Sequence, residues 1–484
     1  MALFKRRAVA VDDHAVTHSG HLTLKQSLLP NLLVTILFFL WGFAYGLLDV
    51  LNSHFQAGLN ITASEASGLS AAYFGAYFVC PLTISGWILR RYGFRVTFMT
   101  GTSLPPLSLN LALTPNPRLG LAVLAVGCLL FWPSGVKRSF GGFCGSMFIV
   151  GAGLSTLETG ADNFLSICGP PRYSEIRLNL AQGVQGIGSF AAPLLASRVF
   201  FQNTNDSSDL SSVQWVYLGV AGFVALLIIL FFLAPMPEIT DADMHNQELE
   251  ISAKDQKPFW KQYNLFFAVW SQFTYIGAQV AVANYFISFC EEAGYSASTS
   301  SNLLAAGQGV YAAMRFIGSG LMSIKFFKPR YMLAAYLSLC FVFGIAAVKT
   351  TGKTSVAMLI LVLCFESICF ATIFTLGLRG LGRHTKRGGS CLVAAISGGA
   401  AVPPICGAVA TKTGSFHTAM AVPTAFYVGA LIFPIYVNFF NAENADSHRE
   451  TDVNIHKVDE DGEKGSVKEI ELDGKGPVER VERA

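Results

Sequence analysis

The stretch GLSTLETGADNFLSICGPPRYSEIRLNLAQ, residues Gly153–Gln182, indicates the class of this protein. Its first part is apolar enough to lie within a membrane, yet it contains Glu158 and Asp162. The two acids are four residues apart and therefore share one face of a helix. A charged side chain at the centre of a bilayer costs about 2.5–3.5 kcal/mol on insertion scales, so such residues usually have a function. The stretch therefore predicts a membrane helix that carries working carboxylates.

The composition of the whole chain also indicates a membrane protein. Of its 484 residues, 52% are hydrophobic and 13% are charged, about half the charged fraction of a typical soluble protein. The apolar residues form runs of about 20, the length that spans a bilayer. The ten cysteines have no disulfide-like spacing and are interpreted as small buried hydrophobic residues. Residues 1–29 form a polar segment that resembles a cytosolic N-terminus, without a cleavable signal peptide.

Hydropathy over a 19-residue window predicts about twelve membrane spans. They lie roughly at 30–53, 66–89, 94–133, 142–168, 176–200, 212–234, 263–290, 298–323, 330–349, 354–378, 389–411 and 418–440. The predicted fold is an all-α membrane protein with an N-terminal half (30–235) and a C-terminal half (263–440) of six helices each. The charged segment 236–262 is a cytosolic linker between the halves. The charged tail 441–484 is predicted to be disordered and cytosolic.

The distribution of lysine and arginine predicts the orientation. With the N-terminus inside, the inner loops contain Arg90, Arg91, Arg95, Arg172, Lys325, Lys328, Arg330, Arg379, Arg383, Lys386 and Arg387. The outer loops contain only Lys137, Arg138, Lys349, Lys353 and Lys412. Both termini are therefore expected in the cytosol. The sequons at Asn60 and Asn205 then face outward and are candidate glycosylation sites.

The segment TSLPPLSLNLALTPNPRLG, residues 102–120, interrupts the third predicted span. Its four prolines remove helix hydrogen-bond donors. Deleting it joins the flanking apolar sequences into one span. We interpret it as a retained in-frame intron or another gene-model error, and a long or re-entrant loop is the alternative. Sequencing the transcript distinguishes the two.

Four acidic residues fall within predicted spans: Asp49 in span one, Glu158 and Asp162 in span four, and Glu366 in span ten. Burial disfavours the charged form of a carboxylic acid, so such groups exchange protons near neutral pH. This chemistry suits proton coupling. The alternative is that each acid is a neutral structural group. The nearest intramembrane base, Arg315, lies near one end of span eight and is interpreted as a residue that extends to the membrane surface.

Neutral polar and aromatic side chains recur on helical faces of the same spans. The candidate substrate ligands are Trp41 and Tyr45 in span one, Gln182 and Gln185 in span five, and Tyr275, Gln279 and Asn284 in span seven. Amides hydrogen-bond to sugar hydroxyls and aromatic rings pack on their C–H faces. The alternative is that the amides join neighbouring helices beside small residues. The sequence contains no P-loop, no complete dinucleotide fingerprint and no metal-spaced histidine pair within a span, so no enzyme activity, cofactor or metal is expected.

Several of these segments together resemble the fucose:proton symporter family of the major facilitator superfamily, especially its fungal members. They are FFLWGFAYGLLDVLNSHF, GLSTLETGADNF, SEIRLNLAQGVQGIGSF, FTYIGAQVAVANYF and TIFTLGLRGLGRHTKRG. The resemblance covers nearly all of residues 30–440. It implies that Asp49 and Glu158 serve proton coupling and sugar recognition, and that Gln182 and Gln185 are the polar pair of span five.

The chain also departs from the bacterial fucose carriers. Two asparagines that precede the span-one aspartate in those carriers are Gly46 and Leu48 here. Their span-ten tyrosine is Phe370, Glu366 is additional, and Asp162 stands where they have asparagine. Because sugar-binding amide and hydroxyl groups are missing, the sequence disfavours fucose itself, and another hexose or a different small polar metabolite fits it better.

The sequence therefore predicts a plasma-membrane carrier, expected to be monomeric, that imports a fucose-, galactose- or glucose-like hexose with a proton by alternating access. One alternative is a proton-coupled exporter of a small polar or secondary metabolite. Another is a sugar sensor that does not transport, although such sensors usually have a longer signalling tail. The expected partners are the sugar, protons and the lipid bilayer, and no nucleic acid.

Overall fold

A computed structural model describes residues 17, 21–59, 63–100, 124, 126–130, 133–134, 137, 139–195, 219, 222–224, 226–227, 230–231, 236–252 and 257–455. The insert 102–120, both sequons (Asn60 and Asn205) and residues 456–484 lie outside these residues, as does most of predicted span six. Helix α1 includes the backbone of Tyr45 and Asp49, but their side chains also lie outside the described part of the chain.

The described N-terminal half is helical. Its helices are α1 (Leu24–Leu59), α2 (Ala63–Cys80), α3 (Gly86–Thr100), α4 (Phe140–Ile167) and α5 (Ser174–Leu195). A π-helical turn at Pro81–Ser85 continues α2 into α3. Helix α3 is kinked at Gly93, whose φ of +83° lies in the region that favours glycine. The carboxylate of Glu238, from the linker, accepts the N–H of Phe94 just after this kink at 2.8 Å.

The linker contains helix α6 (Asp241–Ser252), which the sequence analysis did not predict. Its first turn is closed by a reciprocal pair of hydrogen bonds. Asp243 accepts the N–H of Thr240 at 3.1 Å, and Thr240 Oγ1 accepts the N–H of Asp243 at 3.1 Å. This is a capping-box arrangement, which satisfies backbone donors that would otherwise be unpaired at a helix start.

The C-terminal half follows the predicted spans, three of them in pieces. Its helices are α7 (Tyr263–Glu292), α8 (Ala297–Ser323), α9 (Pro329–Lys349), α10 (Gly352–Glu366), α11 (Cys369–Leu378), α12 (Thr385–Ala394), α13 (Gly398–Thr413), α14 (Phe416–Ala419), α15 (Ala421–Ala430) and α16 (Ile432–Phe440). Span ten is α10 with α11, span eleven is α12 with α13, and span twelve is α14 to α16.

Eight helical segments in the described part of the chain are long and apolar enough to cross a membrane. Helices α5 and α8 are not among them. Both helices carry buried polar side chains, Gln182 and Gln185 on α5 and Arg315 on α8, which lower their hydropathy. These two helices pack directly against each other across the two halves of the molecule.

The first residues of the tail form helix α17 (Ala442–Glu450), so the prediction of disorder is wrong for them. Lys328 Nζ lies 2.7 Å from Asp446 Oδ2, and Arg330 Nε lies 3.0 Å from Asp446 Oδ1. Arg449 donates to the carbonyl of Met322 at 2.7 Å. Charged residues without partners favour disorder. Here the charges of α17 are paired with groups at the ends of α8 and α9.

One end of the bundle carries all of the described chain that precedes α1, connects the halves or follows α16. We call this end the terminal face. Its residues are 17, 21–27, 168–175, 236–252, 257–262, 324–330, 379–387 and 441–455. The contacts that join them include an ion pair between Arg379 and Glu175, which links the two halves, and a pair between His448 and Glu248 at 2.9 Å.

Candidate functional site

Glu158 lies in a pocket between α1 and α4. The pocket is lined by Leu37, Phe38, Trp41, Leu154, Leu157, Glu158 and Ala161. Tyr77 of α2 and Trp41 of α1 act on the Glu158 carboxylate, one oxygen of which has no hydrogen-bond partner among the described residues. Trp41 Nε1 donates to Tyr77 Oη at 2.5 Å, and the hydroxyls of Tyr73 and Tyr77 are 3.2 Å apart. The acid therefore lies beside a hydrogen-bonded group of aromatic side chains within an apolar wall.

Asp162 lies one helical turn from Glu158 and is fully buried. Neither of its carboxylate oxygens has a hydrogen-bond partner within the part of the chain that the structure describes. The charges of Glu158 and Arg315 both act on it. Burying an isolated carboxylate charge is expensive, so this acid depends on protonation or on the nearby guanidinium. The structure thus brings together the two acids that the sequence singled out on α4.

Arg315 lies at the centre of the molecule, so its interpretation as a residue that reaches the membrane surface is wrong. It is 4% exposed. Its Nη1 donates to the carbonyl of Gln182 on α5 at 2.6 Å, and its Nε donates to the carbonyl of Ser367 at 3.0 Å. Ser367 lies at the break between α10 and α11. The guanidinium therefore ties α5 of one half to the interrupted helix of the other, which buries it.

Two predicted amides from different halves meet at this guanidinium. Gln185 Oε1 lies 3.4 Å from Arg315 Nη1. Gln279 Nε2 donates to Tyr311 Oη at 2.5 Å, and Tyr311 in turn accepts from Arg315 Nη2 at 2.5 Å. We call Gln182, Gln185, Gln279, Tyr311 and Arg315 the central polar cluster. The side-chain oxygen of Gln182 is buried and has no hydrogen-bond partner among the described residues.

Two other predicted site residues, Tyr275 and Glu366, border this cluster at Tyr311. Tyr275 is fully buried and donates to the backbone carbonyl of Glu366 at 2.8 Å. The carboxylate of Glu366 accepts a short hydrogen bond from Tyr427, so this acid faces the interior of the C-terminal half. Asn284 is exposed and lies towards the C-terminal end of α7. Phe370 is buried on α11 and stacks on Phe374 with ring centroids 6.2 Å apart.

The tyrosines beside Glu158 and in the central polar cluster were not predicted from the sequence. Tyr73 and Tyr77 are four residues apart on α2, and Tyr311 and Arg315 are four residues apart on α8. This spacing places each pair on one helical face. It is the pattern in the sequence from which these residues could have been predicted. The Arg315 guanidinium carbon lies 4.4 Å from the ring centre of Tyr311, a cation–π contact that orients the arginine.

Comparison with known proteins agrees with this architecture. The model of the Major Facilitator Superfamily matches residues 34–390. The chain is 28% identical to the L-fucose-proton symporter of Escherichia coli (strain K12), over 84% of this chain and 93% of that protein. It is 29% identical to the glucose/galactose transporter of Brucella abortus biovar 1 (strain 9-941), over 81% of this chain and 90% of that protein.

Solved structures give the same fold. The crystal structure of the major facilitator transporter FucP in the outward conformation is 29% identical, covers 85% of this chain and 99% of its own, and superimposes with a TM-score of 0.70. The proton:xylose symporter XylE, at 12% identity and a TM-score of 0.65, shares the fold. These matches confirm the predicted all-α, twelve-helix architecture and a transporter rather than an enzyme. The chain therefore belongs to the major facilitator superfamily of multi-pass membrane transporters, and it is similar within that superfamily to the L-fucose-proton symporter.

Proposed function

We propose that this protein is a proton-coupled importer of a hexose that works by alternating access, as a fungal-type member of the fucose-symporter group. The observation that carries the proposal is the link through Arg315. This cation acts electrostatically on Glu158 and Asp162, and it also contacts amides at the boundary between the two halves. A proton on the acids and a sugar at the amides would therefore influence the same guanidinium.

In this proposal Glu158 carries the coupled proton. Its carboxylate lies beside Tyr77 and Trp41 in a pocket, while Asp49 of α1 acts as the second coupling acid, as the resemblance implies. Asp162, on the same face of α4, is a further candidate for binding the proton. Glu366 is a weaker candidate, because its carboxylate is bound by Tyr427 within the C-terminal half.

The sugar would bind at the central polar cluster. Gln182, Gln185 and Gln279 supply amide groups to its hydroxyls, and Trp41 and Phe370 supply rings for its C–H faces. Tyr45, Tyr275 and Asn284 are proposed as further contributors. The names of the relatives, L-fucose-proton symporter and glucose/galactose transporter, support a hexose. The missing amides before Asp49 favour a glucose- or galactose-like sugar over fucose.

We further propose that the protein is a monomer in the lipid bilayer of the plasma membrane, with the terminal face and both termini in the cytosol. The arginines and lysines of residues 325–330 and 379–387 support this orientation. The likeness to a structure in the outward conformation also supports this orientation. A carrier that is open outward is closed on its cytosolic side, and here the two halves are joined at the terminal face by Arg379 and Glu175.

The membrane potential supplies enough free energy for uphill uptake. One charge that crosses 100 mV supplies about 2.3 kcal/mol, which corresponds to roughly a 50-fold sugar gradient.

Flux measurements in proteoliposomes test the proposal. The purified protein is assayed with radiolabelled fucose, galactose and glucose, with and without a pH gradient that is acidic on the side opposite the terminal face. We expect a gradient to drive accumulation of at least one hexose, and a protonophore to abolish it. Sugar binding without flux would instead indicate a sensor. Proton entry that drives a preloaded metabolite outward would indicate an exporter.

A further inference from the structure

The terminal face carries a second polar assembly that the proposed transport mechanism does not use. Helix α17 of the tail lies beside helix α6 of the linker, and it also packs against residues Pro171–Tyr173 of the N-terminal half. His448 Nε2 lies 2.9 Å from Glu248 Oε2, and both side chains are only 9% exposed. Two segments outside the transmembrane bundle are thus joined by a nearly buried titratable pair.

The tail helix is also bound to both halves of the bundle. Lys328 and Arg330 hold Asp446 at the start of α9 in the C-terminal half. Arg379, which forms the ion pair with Glu175 of the N-terminal half, donates to the backbone carbonyl of Ala445. The same arginine therefore contacts the N-terminal half and the tail. Separating the halves at this face requires Arg379 to leave Glu175, and it displaces the helix seated on it.

We propose that helices α17 and α6 form a latch that holds the terminal face closed, and that protonation of His448 tightens this latch. Histidine is the side chain that ordinarily changes charge between pH 5 and 8. A charged imidazole turns the hydrogen bond to Glu248 into an ion pair. The latch then opens more readily at neutral pH than in acid. This inference rests on the proposed function, because only alternating access requires the face to open.

The physiological consequence follows from the direction of proton flow. If the terminal face is cytosolic, imported protons acidify the compartment that His448 faces. Acidification would then slow further opening, which limits proton entry when sugar is abundant.

The electrostatic surroundings support this direction. Burial alone would raise the pKa of Glu248, but the hydrogen bond and the charge of His448 hold it below its ordinary value. These contacts favour the ionised form of Glu248, the form that a protonated His448 would pair with. The other charged or titratable groups on the elements packed around the pair are Arg172, Glu175, Asp241, Asp243, His245, Glu250, Arg379, Arg383, His384, Glu443, Asp446, Arg449 and Glu450. Of these, Arg379 lines the same cavity as Glu248 and His448, and its charge is already paired with Glu175.

Hydrogen exchange of the full-length protein in lipid nanodiscs tests the latch without sugar or a proton gradient. We expect residues 442–450 to be about two- to fivefold better protected at pH 6 than at pH 8, after correction for intrinsic exchange, as an ion pair of this kind allows. His448→Gln should remove the difference and His448→Arg should keep the protected state at both pH values. Glu450→Gln is the matched control and should keep the pH difference, because it removes a carboxylate of the same helix that is 69% exposed and pairs with Lys328 instead of His448.

A labelled cysteine measures opening of the face itself. Ser174 lines the cavity beneath the latch, so Ser174→Cys, in a background without the ten native cysteines, reports access from the terminal face. Its maleimide labelling, normalised to that of exposed Lys257→Cys, should rise about two- to fivefold from pH 6 to pH 8 and lose this dependence in His448→Gln. If the histidine variants do not fold, Glu248→Gln removes the same ion pair by replacing its acidic partner.

Unchanged pH dependence in His448→Gln or Glu248→Gln, in either assay, would overturn the latch. Both assays are independent of transport. A protein that fails to move sugar but shows the expected protection would refute the proposed function, whereas the pH-dependent contact between α17 and α6 would be confirmed. A protein that moves sugar but shows no effect of the His448 substitution would support the proposed function and refute the latch.

Discussion

At the scale of single residues, Glu158 is the group on which the proposed proton coupling depends. Glu158→Gln keeps the size and hydrogen-bonding capacity of the side chain but removes its ability to release a proton. We expect proton-driven accumulation of sugar to disappear, whereas equilibrium counterflow, which requires no net proton movement, should survive at least in part. Uptake and counterflow of the same radiolabelled sugar in proteoliposomes measure the two activities.

Two other acids on the described helices serve as comparisons for this variant. Asp162→Asn should have a milder effect, because the bacterial relatives have asparagine there. Glu366→Gln should chiefly lower thermal stability, because Tyr427 binds the Glu366 carboxylate within the C-terminal half. Full uphill uptake by Glu158→Gln would remove Glu158 from the mechanism and leave Asp49 or Glu366 as the proton carrier.

The amides of the central polar cluster predict a different phenotype. Gln182→Ala and Gln279→Ala should each leave a sugar hydroxyl unpaired, at a cost of about 1–3 kcal/mol. That cost corresponds to roughly a five- to hundredfold rise in the apparent KM. Asn284→Ala should change KM less, because Asn284 is exposed and lies apart from the cluster. Sugar affinity that is unchanged in both glutamine variants would mean that these amides only join helices.

At the scale of helices, close packing of α1 on α5 positions residues of both proposed functions. A Cβ atom at Gly42 would lie 1.9 Å from the backbone oxygen of Gln185, and one at Gly188 would lie 2.4 Å from that of Phe39. Only glycine permits this approach. Helix α1 carries Trp41 and Asp49, and α5 carries the two glutamines, so the distance between these helices sets the geometry of the site.

Gly42→Ala should therefore force α1 and α5 apart. Overpacking of this kind typically costs about 1–3 kcal/mol, so we expect a lower melting temperature in detergent and reduced uptake. Gly145→Ala is the matched control, because a Cβ atom at Gly145 on α4 meets no other atom within 4 Å. Equal stability of the two variants would show that the α1–α5 contact tolerates a wider spacing.

At the scale of the whole molecule, the proposed orientation is open to direct labelling. In intact cells and a background without native cysteines, a membrane-impermeant maleimide should label Lys412→Cys from outside. Arg383→Cys should react only after permeabilisation. Both positions are exposed, so access rather than burial decides the result. Labelling of Arg383→Cys in intact cells would reverse the proposed topology.

The sequence alone determined the features that depend on local composition. Apolar runs of about 20 residues predict membrane helices wherever they occur, and lysine and arginine in the loops predict their orientation. Glu158 and Asp162 were recognisable because a carboxylate in an apolar span is expensive wherever the helix packs. These predictions required no knowledge of which helices are neighbours.

Only the tertiary structure decided which polar groups meet. Arg315 contacts Gln182, 133 positions away in the sequence, and the break after Glu366 presents the Ser367 carbonyl to the same guanidinium. Helix α17 forms although its sequence is polar, because Asp446 and His448 find partners on α9 and α6. Packing between distant segments sets how a helix is rotated about its axis, where it is broken and which segment docks on it. Hydropathy and spacing along one segment do not encode them.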